Sequence, residues 1–163
     1  MHKLLLQDLF KYNLWANKRL IDMIPANLAE EEVNSSFKSI AKTVYHLWDA
    51  ESIWLRRMEG ESLAGWPSRN FEGSFEEGAN LFIKQSEALR DFVNAQPEEF
   101  FATDLVYKDM RGKEHKQPNF EVLMQLYGHG CFHRGQIVTL LRQLGATDLL
   151  QTDYIRYCRE KNQ

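Results

Sequence analysis

A long amphipathic stretch that begins at Asn119 constrains the fold of this chain more than any other feature. Apolar residues recur there at steps of three and four, as they do on one face of an α-helix; they are Val122, Leu126, Ile137, Leu140 and Leu144. His129 and His133 fall on the same face, four residues apart, so both imidazoles point the same way. The stretch also holds glycines that each cost a helix about 1 kcal/mol relative to alanine, namely Gly128, Gly130 and Gly135. A helix that contains polar residues on its apolar face and glycines in its middle is typical of a functional site.

Three further stretches predict long helices by the same periodicity. The first covers residues 3–24 and is stopped by Pro25, and the second runs from about Ser39 to Glu59. The third begins after Ser74, which together with Glu77 forms a capping box, and is closed by Pro97. We expect Asn119 to cap the fourth helix and Gly145 to end it.

Shorter segments connect these helices. Residues 26–38 are polar and irregular, and residues 102–117 suggest a short β-hairpin, although an irregular loop fits them nearly as well. A last helix is expected from about Asp148 to Lys161; its candidate packing residues are Leu149, Tyr154, Ile155 and Cys158. Long helices with apolar stripes and few strands predict an all-α four-helix bundle, formed by residues 1–163 as a single domain.

Composition excludes some classes of protein. The chain has 163 residues, of which 44% are apolar and 26% charged, as in ordinary globular domains. Its net charge of −3 argues against nucleic acid as a partner. No apolar run approaches the length of a membrane span or an export signal, and the two cysteines form no paired-ligand pattern. We therefore expect a cytoplasmic protein with free thiols and no membrane partner.

The histidines suggest a metal site. His46 lies on the flank of the second helix's apolar face, from which it can meet a neighbouring helix, whereas His2 and His115 fall at a terminus and in a polar loop. His129 and His133 would supply two imidazoles and His46 the third, which leaves coordination positions open as in catalytic sites. Imidazole suits zinc, nickel, copper and iron alike, so the ligands alone do not select the metal. The competing interpretation is that such a pair arises by chance and that these are hydrogen-bonded core histidines.

Other polar residues near these faces have two interpretations. Asn13 and Asn17 lie within the apolar face of the first helix, where they either satisfy a local core contact or line a polar cavity. Arg134 either binds an anionic substrate or pairs with an acidic residue. We expect Asp49 and Glu51 to be surface residues, although either is a candidate partner for a metal-binding histidine.

Three motifs stand out: Trp15-Ala-Asn-Lys-Arg-Leu20 in the first helix, the segment from His46 to Trp54 in the second, and His129-Gly-Cys-Phe-His133-Arg-Gly-Gln136 in the fourth. They resemble motifs of the DinB-like (DinB/YfiT-like) metalloenzyme family, and the third is similar to the family's HxxxHRGQ signature. The resemblance extends over nearly the whole chain. It implies an up-down-down-up four-helix bundle, with the hairpin-like insert before the last bundle helix, and a homodimer. It also implies a divalent metal, commonly nickel or zinc, held by His46, His129 and His133.

The resemblance does not imply one particular reaction. The wider superfamily includes thiol S-transferases, which use a low-molecular-weight thiol, and members regarded as hydrolases. Our leading hypothesis is a metal-dependent enzyme of one of these kinds that acts on a small molecule, with Asn13, Asn17 and Arg134 as candidate substrate contacts. The alternatives are a non-catalytic protein that binds a metal or ligand in a stress response, and a purely structural bundle.

Overall fold

A computed structural model describes residues 2–61 and 65–162 of the chain. The elements within those ranges are α1 (His2–Asp22), α2 (Ala26–Ala29), α3 (Ile40–Met58), a 3₁₀ helix (Pro67–Asn70), α4 (Phe75–Ala95), α5 (Glu98–Ala102), β1 (Asp104–Lys108), β2 (Glu114–Pro118), α6 (Asn119–Gln143) and α7 (Tyr154–Lys161). The predicted all-α class is confirmed, and the four predicted long helices are α1, α3, α4 and α6. The connector at residues 26–38 differs from the prediction in containing the short helix α2.

The four long helices pack as a bundle in which α1 and α3 each contact both α4 and α6. One apolar cluster joins the end of α1 to the start of α3, the first half of α4 and the end of α6, as in Leu20, Ile40, Phe82 and Leu141. A second cluster joins the start of α1 to the ends of α3 and α4 and the start of α6, as in Leu6, Leu55, Val93 and Leu123. This distribution is consistent with the up-down-down-up order that the resemblance implies.

The helix ends follow local chemistry. Ser74 and Glu77 form the expected capping box at the start of α4, each side chain accepting a hydrogen bond from the other residue's backbone N–H. The prediction that Asn119 caps α6 is wrong. Pro118 takes the cap position, while the buried Asn119 side chain donates to the Phe100 carbonyl and its backbone N–H donates to the Thr103 carbonyl. Asn119 therefore anchors α6 to the segment that precedes the hairpin.

The hairpin interpretation of residues 102–117 is confirmed, since β1 and β2 pair antiparallel with Tyr107 opposite His115. The last helix begins later than expected, at Tyr154. The segment before it is held against α1 instead, because Tyr12 donates to the Thr152 carbonyl and Arg19 to the Gln151 carbonyl.

The packing residues predicted for the last helix are confirmed in part, since Cys158 and Leu149 pack against apolar clusters, but the packing face of α7 differs from the prediction in two residues. Its buried residue is Tyr157, whereas Ile155 is 58% exposed and Tyr154 is also exposed.

None of the helices within the described ranges is both long and apolar enough to cross a membrane.

The core should be sensitive at α4. Phe82 is fully buried in the first apolar cluster, so Phe82→Ala should lower the free energy of unfolding by about 3–5 kcal/mol, measured by urea denaturation. Its neighbour Leu81 is 36% exposed, and Leu81→Ala should cost under about 1 kcal/mol. Equal effects of the two substitutions would contradict the described packing.

Candidate metal site

Three imidazoles converge in the bundle interior between α3 and α6. The Nε2 atom of His129 lies 2.9 Å from Nε2 of His46 and 3.1 Å from Nε2 of His133. His46 and His129 are half-buried, and His133 is buried. His46 reaches this point because the flank of α3 faces α6, as its helical position predicted. Among the described residues, these three form a group able to hold a metal ion; we call His46, His129 and His133 the triad.

The protonation of His133 is set by its own helix. Gln136, one turn further along α6, places its Oε1 atom 2.7 Å from Nδ1 of His133. Because an amide oxygen only accepts hydrogen bonds, Nδ1 carries the proton and donates it, and the Nε2 lone pair of the neutral ring faces the other two histidines. A partner that fixes the tautomer in this way is usual for a metal-binding histidine.

Burial keeps all three rings neutral. Desolvation lowers the pKa of His46, and the neighbouring His133 lowers it further. Desolvation and then the charges of His133 and His46 lower the pKa of His129 to about 4. The pKa of His133 is also lowered by burial, although its hydrogen bond to Gln136 opposes the shift. Neutral imidazoles at physiological pH offer lone pairs without competition from protons.

This donor set fits a divalent cation. At most one proton can lie between two of these nitrogens, so lone pairs converge on one small region, and a cation relieves their repulsion. Zinc–nitrogen bonds of about 2.0–2.1 Å in tetrahedral geometry place ligand nitrogens about 3.3 Å apart, a few tenths of an ångström beyond the distances here. The Nδ1 atom of His129 is buried without a hydrogen-bond partner in the described part of the chain, so no hydrogen bond at that atom opposes a small rotation of its ring.

Phe37, in the connector before α3, contacts two of the three histidines. Its ring stacks on His46 at 4.4 Å between centroids and makes an edge contact with His133 at 5.6 Å. Phe132 also makes an edge contact with His133, at 5.0 Å between centroids. These rings shield the imidazoles from water and contribute to the desolvation that lowers their pKa values.

Two cavities flank the site and share Phe37 as a common wall. The first, of about 420 Å³, includes His46 and charged residues such as Glu30, Lys42 and Asp49; we call it the charged cavity. The second, of about 510 Å³, lies between the connector and α6 and includes Gln136; we call it the neutral cavity. Another cavity of about 510 Å³ lies between the end of α3 and the hairpin, and no triad histidine lines it.

Asn13, Asn17 and Arg134 lie together in a buried network that we call the polar clasp. The Nη1 group of Arg134 donates to Oδ1 of Asn13 at 2.6 Å and to Oδ1 of Asn17 at 2.8 Å. Both asparagines donate through Nδ2 to Oε1 of Glu51, and the Ser86 hydroxyl donates to Oε2 of Glu51 at 2.6 Å. The clasp therefore joins α1, α3, α4 and α6. Its members line none of the three cavities described, so the structure favours the core-contact interpretation of the asparagines.

The expectation that Asp49 and Glu51 are surface residues is wrong. Glu51 is only 4% exposed, and burial raises its pKa against the opposing hydrogen bonds from Ser86, Asn13 and Asn17 and the charge of Arg134. Asp49 is 7% exposed and accepts hydrogen bonds from the backbone N–H and the hydroxyl of Ser68, which anchors the 3₁₀ helix. Because α3 contacts helices on both sides, the flanks of its apolar face are buried as well.

Of the three glycines of α6, Gly130 is the one that other side chains approach closely. A Cβ atom at Gly128 or Gly135 would meet nothing within 4 Å. At Gly130 it would lie 3.0 Å from both Nη1 of Arg134 and Oδ1 of Asn13, the two atoms of a clasp hydrogen bond. Gly130 thus makes room for the clasp.

The remaining histidines and cysteines lie outside the site. His115 is on β2 rather than in a polar loop, and there it contacts Asp109 at 2.9 Å and stacks on Tyr107. His2 begins α1 and stacks on Phe120. Cys131 and Cys158 are both free, as expected, and Cys131 accepts a hydrogen bond from Arg134.

Sequence reasoning missed the roles of Gln136, Phe37 and Ser86. The spacing of Gln136, three residues after His133, was a usable signal, because such pairs are neighbours on a helix. Ser86 occupies the gap between Phe82 and Leu89 on the predicted apolar face of α4, where a polar residue needs a partner. Phe37 gave no periodic signal, since it lies in an irregular connector.

Loss of the Gln136 contact should weaken metal binding. In Gln136→Met, Nδ1 of His133 loses its acceptor and the ring its fixed orientation, so affinity for zinc should fall about 10- to 100-fold in competition titrations with a chelating dye. Gln143→Met, an exposed substitution on the same helix, should leave the affinity unchanged. Matching affinities for the two variants would contradict the role assigned to Gln136.

The depressed pKa values predict a pH-dependent stability of the metal-free protein. His129 stays neutral in the folded state down to pH about 4, whereas an unfolded histidine takes up a proton below about 6.5. The unfolded state then binds more protons, so the free energy of unfolding should decrease as pH falls from about 6.5 towards 4. His129→Gln should show a shallower decrease in urea denaturation across that window, and parallel curves would count against the depressed pKa.

The clasp should couple Arg134 to Glu51. Arg134→Met should lower the free energy of unfolding by about 3–5 kcal/mol, because it leaves a buried carboxyl group without its compensating charge. Adding Glu51→Gln should recover part of that loss, which a double-mutant cycle by urea denaturation measures. Purely additive losses would show that the asparagines do not transmit the interaction.

Comparison with known proteins agrees with this architecture. The profile of the DinB family matches residues 1–163. Protein DinB of Bacillus subtilis (strain 168) is 27% identical over 159 residues, which cover 91% of each chain. A crystal structure of a DinB-like protein from Bacillus cereus has the same fold, with a TM-score of 0.69 at 20% identity over 86% of this chain and 91% of that one. The chain belongs to the DinB family.

Proposed function

We propose that the protein is a divalent-metal-dependent enzyme that acts on a small molecule, with the metal held by His46, His129 and His133. The convergence of the three Nε2 atoms, at 2.9 and 3.1 Å, carries this proposal. The fixed tautomer of His133 and the neutral state of all three rings support it. Membership of the DinB family is compatible with metal binding.

Nickel or zinc is the metal we propose, because the resemblance to the DinB-like family implies one of these two and both accept imidazole ligands. Three protein ligands leave coordination positions for a substrate, as in catalytic rather than structural sites. The metal would supply Lewis acidity, either to a low-molecular-weight thiol, whose thiolate it stabilises, or to a carbonyl or phosphoryl group that is cleaved.

The chain's own residues have separate tasks in this proposal. Gln136 holds the proton of His133 at Nδ1 and so keeps the Nε2 lone pair available. Phe37 and Phe132 exclude water from the imidazoles. Substrate contact by Asn13, Asn17 and Arg134 would require the clasp to open, because their groups already bond one another. Phe37 and Gln136, which line the neutral cavity, are better placed to contact substrate.

A pair of assays on the metal-loaded protein tests the enzyme class. Thiol conjugation to an electrophile and cleavage of ester and amide substrates should be measured after loading with nickel or zinc. We expect turnover in one assay, its loss in the triple alanine variant of His46, His129 and His133, and its retention in His115→Ala. The His115 control keeps the triad intact because that residue lies on the hairpin. Turnover in neither assay would favour a non-catalytic metal-binding protein.

The metal itself is tested separately from turnover. Protein purified without chelators should contain about one metal ion per chain by elemental analysis, and the triple variant should contain none. Metal-free wild-type protein, together with stability that the triple substitution does not change, would leave the metal-site proposal without support.

We further propose that the protein forms a homodimer. The resemblance to the DinB-like family supports this proposal, and the exposed apolar side chains of Met124 and Phe132 on α6 are compatible with it. Light scattering at micromolar concentration should give twice the mass of one chain, whereas the mass of a single chain would contradict the proposal.

A further inference from the structure

The neutral cavity differs from the rest of the surface in its chemistry. Its eleven lining residues include no aspartate, glutamate, lysine, arginine or histidine. On the other side of Phe37, the charged cavity includes Glu30, Lys42 and Asp49 beside His46. A charged ligand group in the neutral cavity would lose hydration without gaining an ionic partner, which is unfavourable. The wall composition therefore selects against ionised ligands.

The same wall offers hydrogen bonds to a neutral ligand. Gln136 uses its carbonyl oxygen for His133, and its amide N–H groups have no partner in the part of the chain that is described. Thr139 donates to the Gly135 carbonyl and keeps its oxygen lone pairs as acceptors. The cavity thus presents both donors and acceptors to hydroxyl or amide groups.

Two aromatic rings add an apolar component. Phe37 and Phe132 both line the neutral cavity, and Phe132 is 62% exposed although it is a large aromatic residue. Exposed aromatic rings beside a cavity provide flat surfaces for an apolar or aromatic part of a ligand. The volume of about 510 Å³ lies within the usual range for small-molecule sites.

The neutral cavity is also one residue away from the triad. Phe37 contacts His46 and His133, and Gln136 hydrogen-bonds His133, so a molecule in the cavity would touch residues that contact two of the three imidazoles. A ligand bound there would be separated from the proposed metal ligands by one residue, Phe37 or Gln136.

We propose that the neutral cavity is the substrate site, and that it takes an uncharged ligand with hydroxyl or amide groups next to an aromatic or apolar part. The assignment as a substrate site rests on the proposed metal-dependent function. The binding of such a ligand does not, because the cavity wall exists without the metal.

Three matched compounds test the ligand class. Phenyl β-D-glucopyranoside is neutral and combines hydroxyl groups with an aromatic ring; phenyl β-D-glucuronide adds one negative charge, and the phenyl glycoside of 2-amino-2-deoxyglucose adds one positive charge. Dissociation constants should be measured by ligand-observed NMR titration at about 0.15 M salt, which screens the net charge of the protein. The dissociation constant of the neutral glycoside should be at least about tenfold lower than that of either charged analogue, because the cavity wall offers neither charge an ionic partner.

A steric substitution tests the location. Gly135 lines the neutral cavity, and a Cβ atom there meets nothing, so Gly135→Leu should fill part of the cavity without disturbing the bundle. Gly128→Leu places the same side chain on the same helix at an equally open position that does not line the neutral cavity. We expect Gly135→Leu to weaken binding of the neutral glycoside about tenfold or more and Gly128→Leu to leave it unchanged, with both variants equal to wild type in circular dichroism and zinc affinity.

Any of three results would overturn the proposal: no binding of the neutral glycoside, equal binding of a charged analogue, or equal binding to Gly135→Leu. The titrations should be run on metal-free and zinc-loaded protein. Selective binding in a protein that takes up no metal would refute the proposed function but keep the neutral cavity as a ligand site. Metal binding without selective binding would refute only the present inference.

Discussion

The hydrogen bonds from Arg134 through Asn13 and Asn17 to Glu51 are the interaction on which the rest of the structure depends. They place a buried guanidinium and a buried carboxyl group at the two ends of one network that touches all four bundle helices. A buried charge without compensation is strongly unfavourable, so helix rotations that break these bonds are disfavoured. Arg134 directly follows His133, and Glu51 lies five residues after His46. The network that fixes the rotation of α6 and α3 therefore also orients the imidazoles that are candidate metal ligands.

The residues that hold the helices together differ from those that we propose hold the metal. The clasp lies away from the cavities, and Gly130 leaves room for it by lacking a side chain. The triad faces a different environment, with Phe37 across the imidazoles and a cavity on either side of that ring. One side offers charged groups and the other only neutral ones, so the two approaches to the site differ in the molecules they can accept. Positioning and selectivity are thus assigned to different residues.

Much of the fold and the triad could be predicted from sequence, because both depend on local periodicity. The spacing of His129 and His133 places them on one face of α6, and the flank position of His46 faces that helix. The failures involve contacts between segments distant in sequence. The helical angle places Asp49 and Glu51 at the surface, because it does not reveal how many neighbours a helix has. The late start of α7 depends on hydrogen bonds to α1, and the site of Phe37 depends on the path of an irregular connector. The absence of a Cβ atom at Gly130 likewise makes sense only with Asn13 in place.

We propose that one divalent metal binds where the three imidazoles meet. An anomalous difference map from crystals of nickel- or zinc-loaded protein, recorded at the absorption edge of that metal, tests this proposal. We expect one strong peak about 2.0–2.1 Å from Nε2 of His46, His129 and His133. A peak elsewhere in the molecule, or one that leaves out any of the three imidazoles, would contradict it.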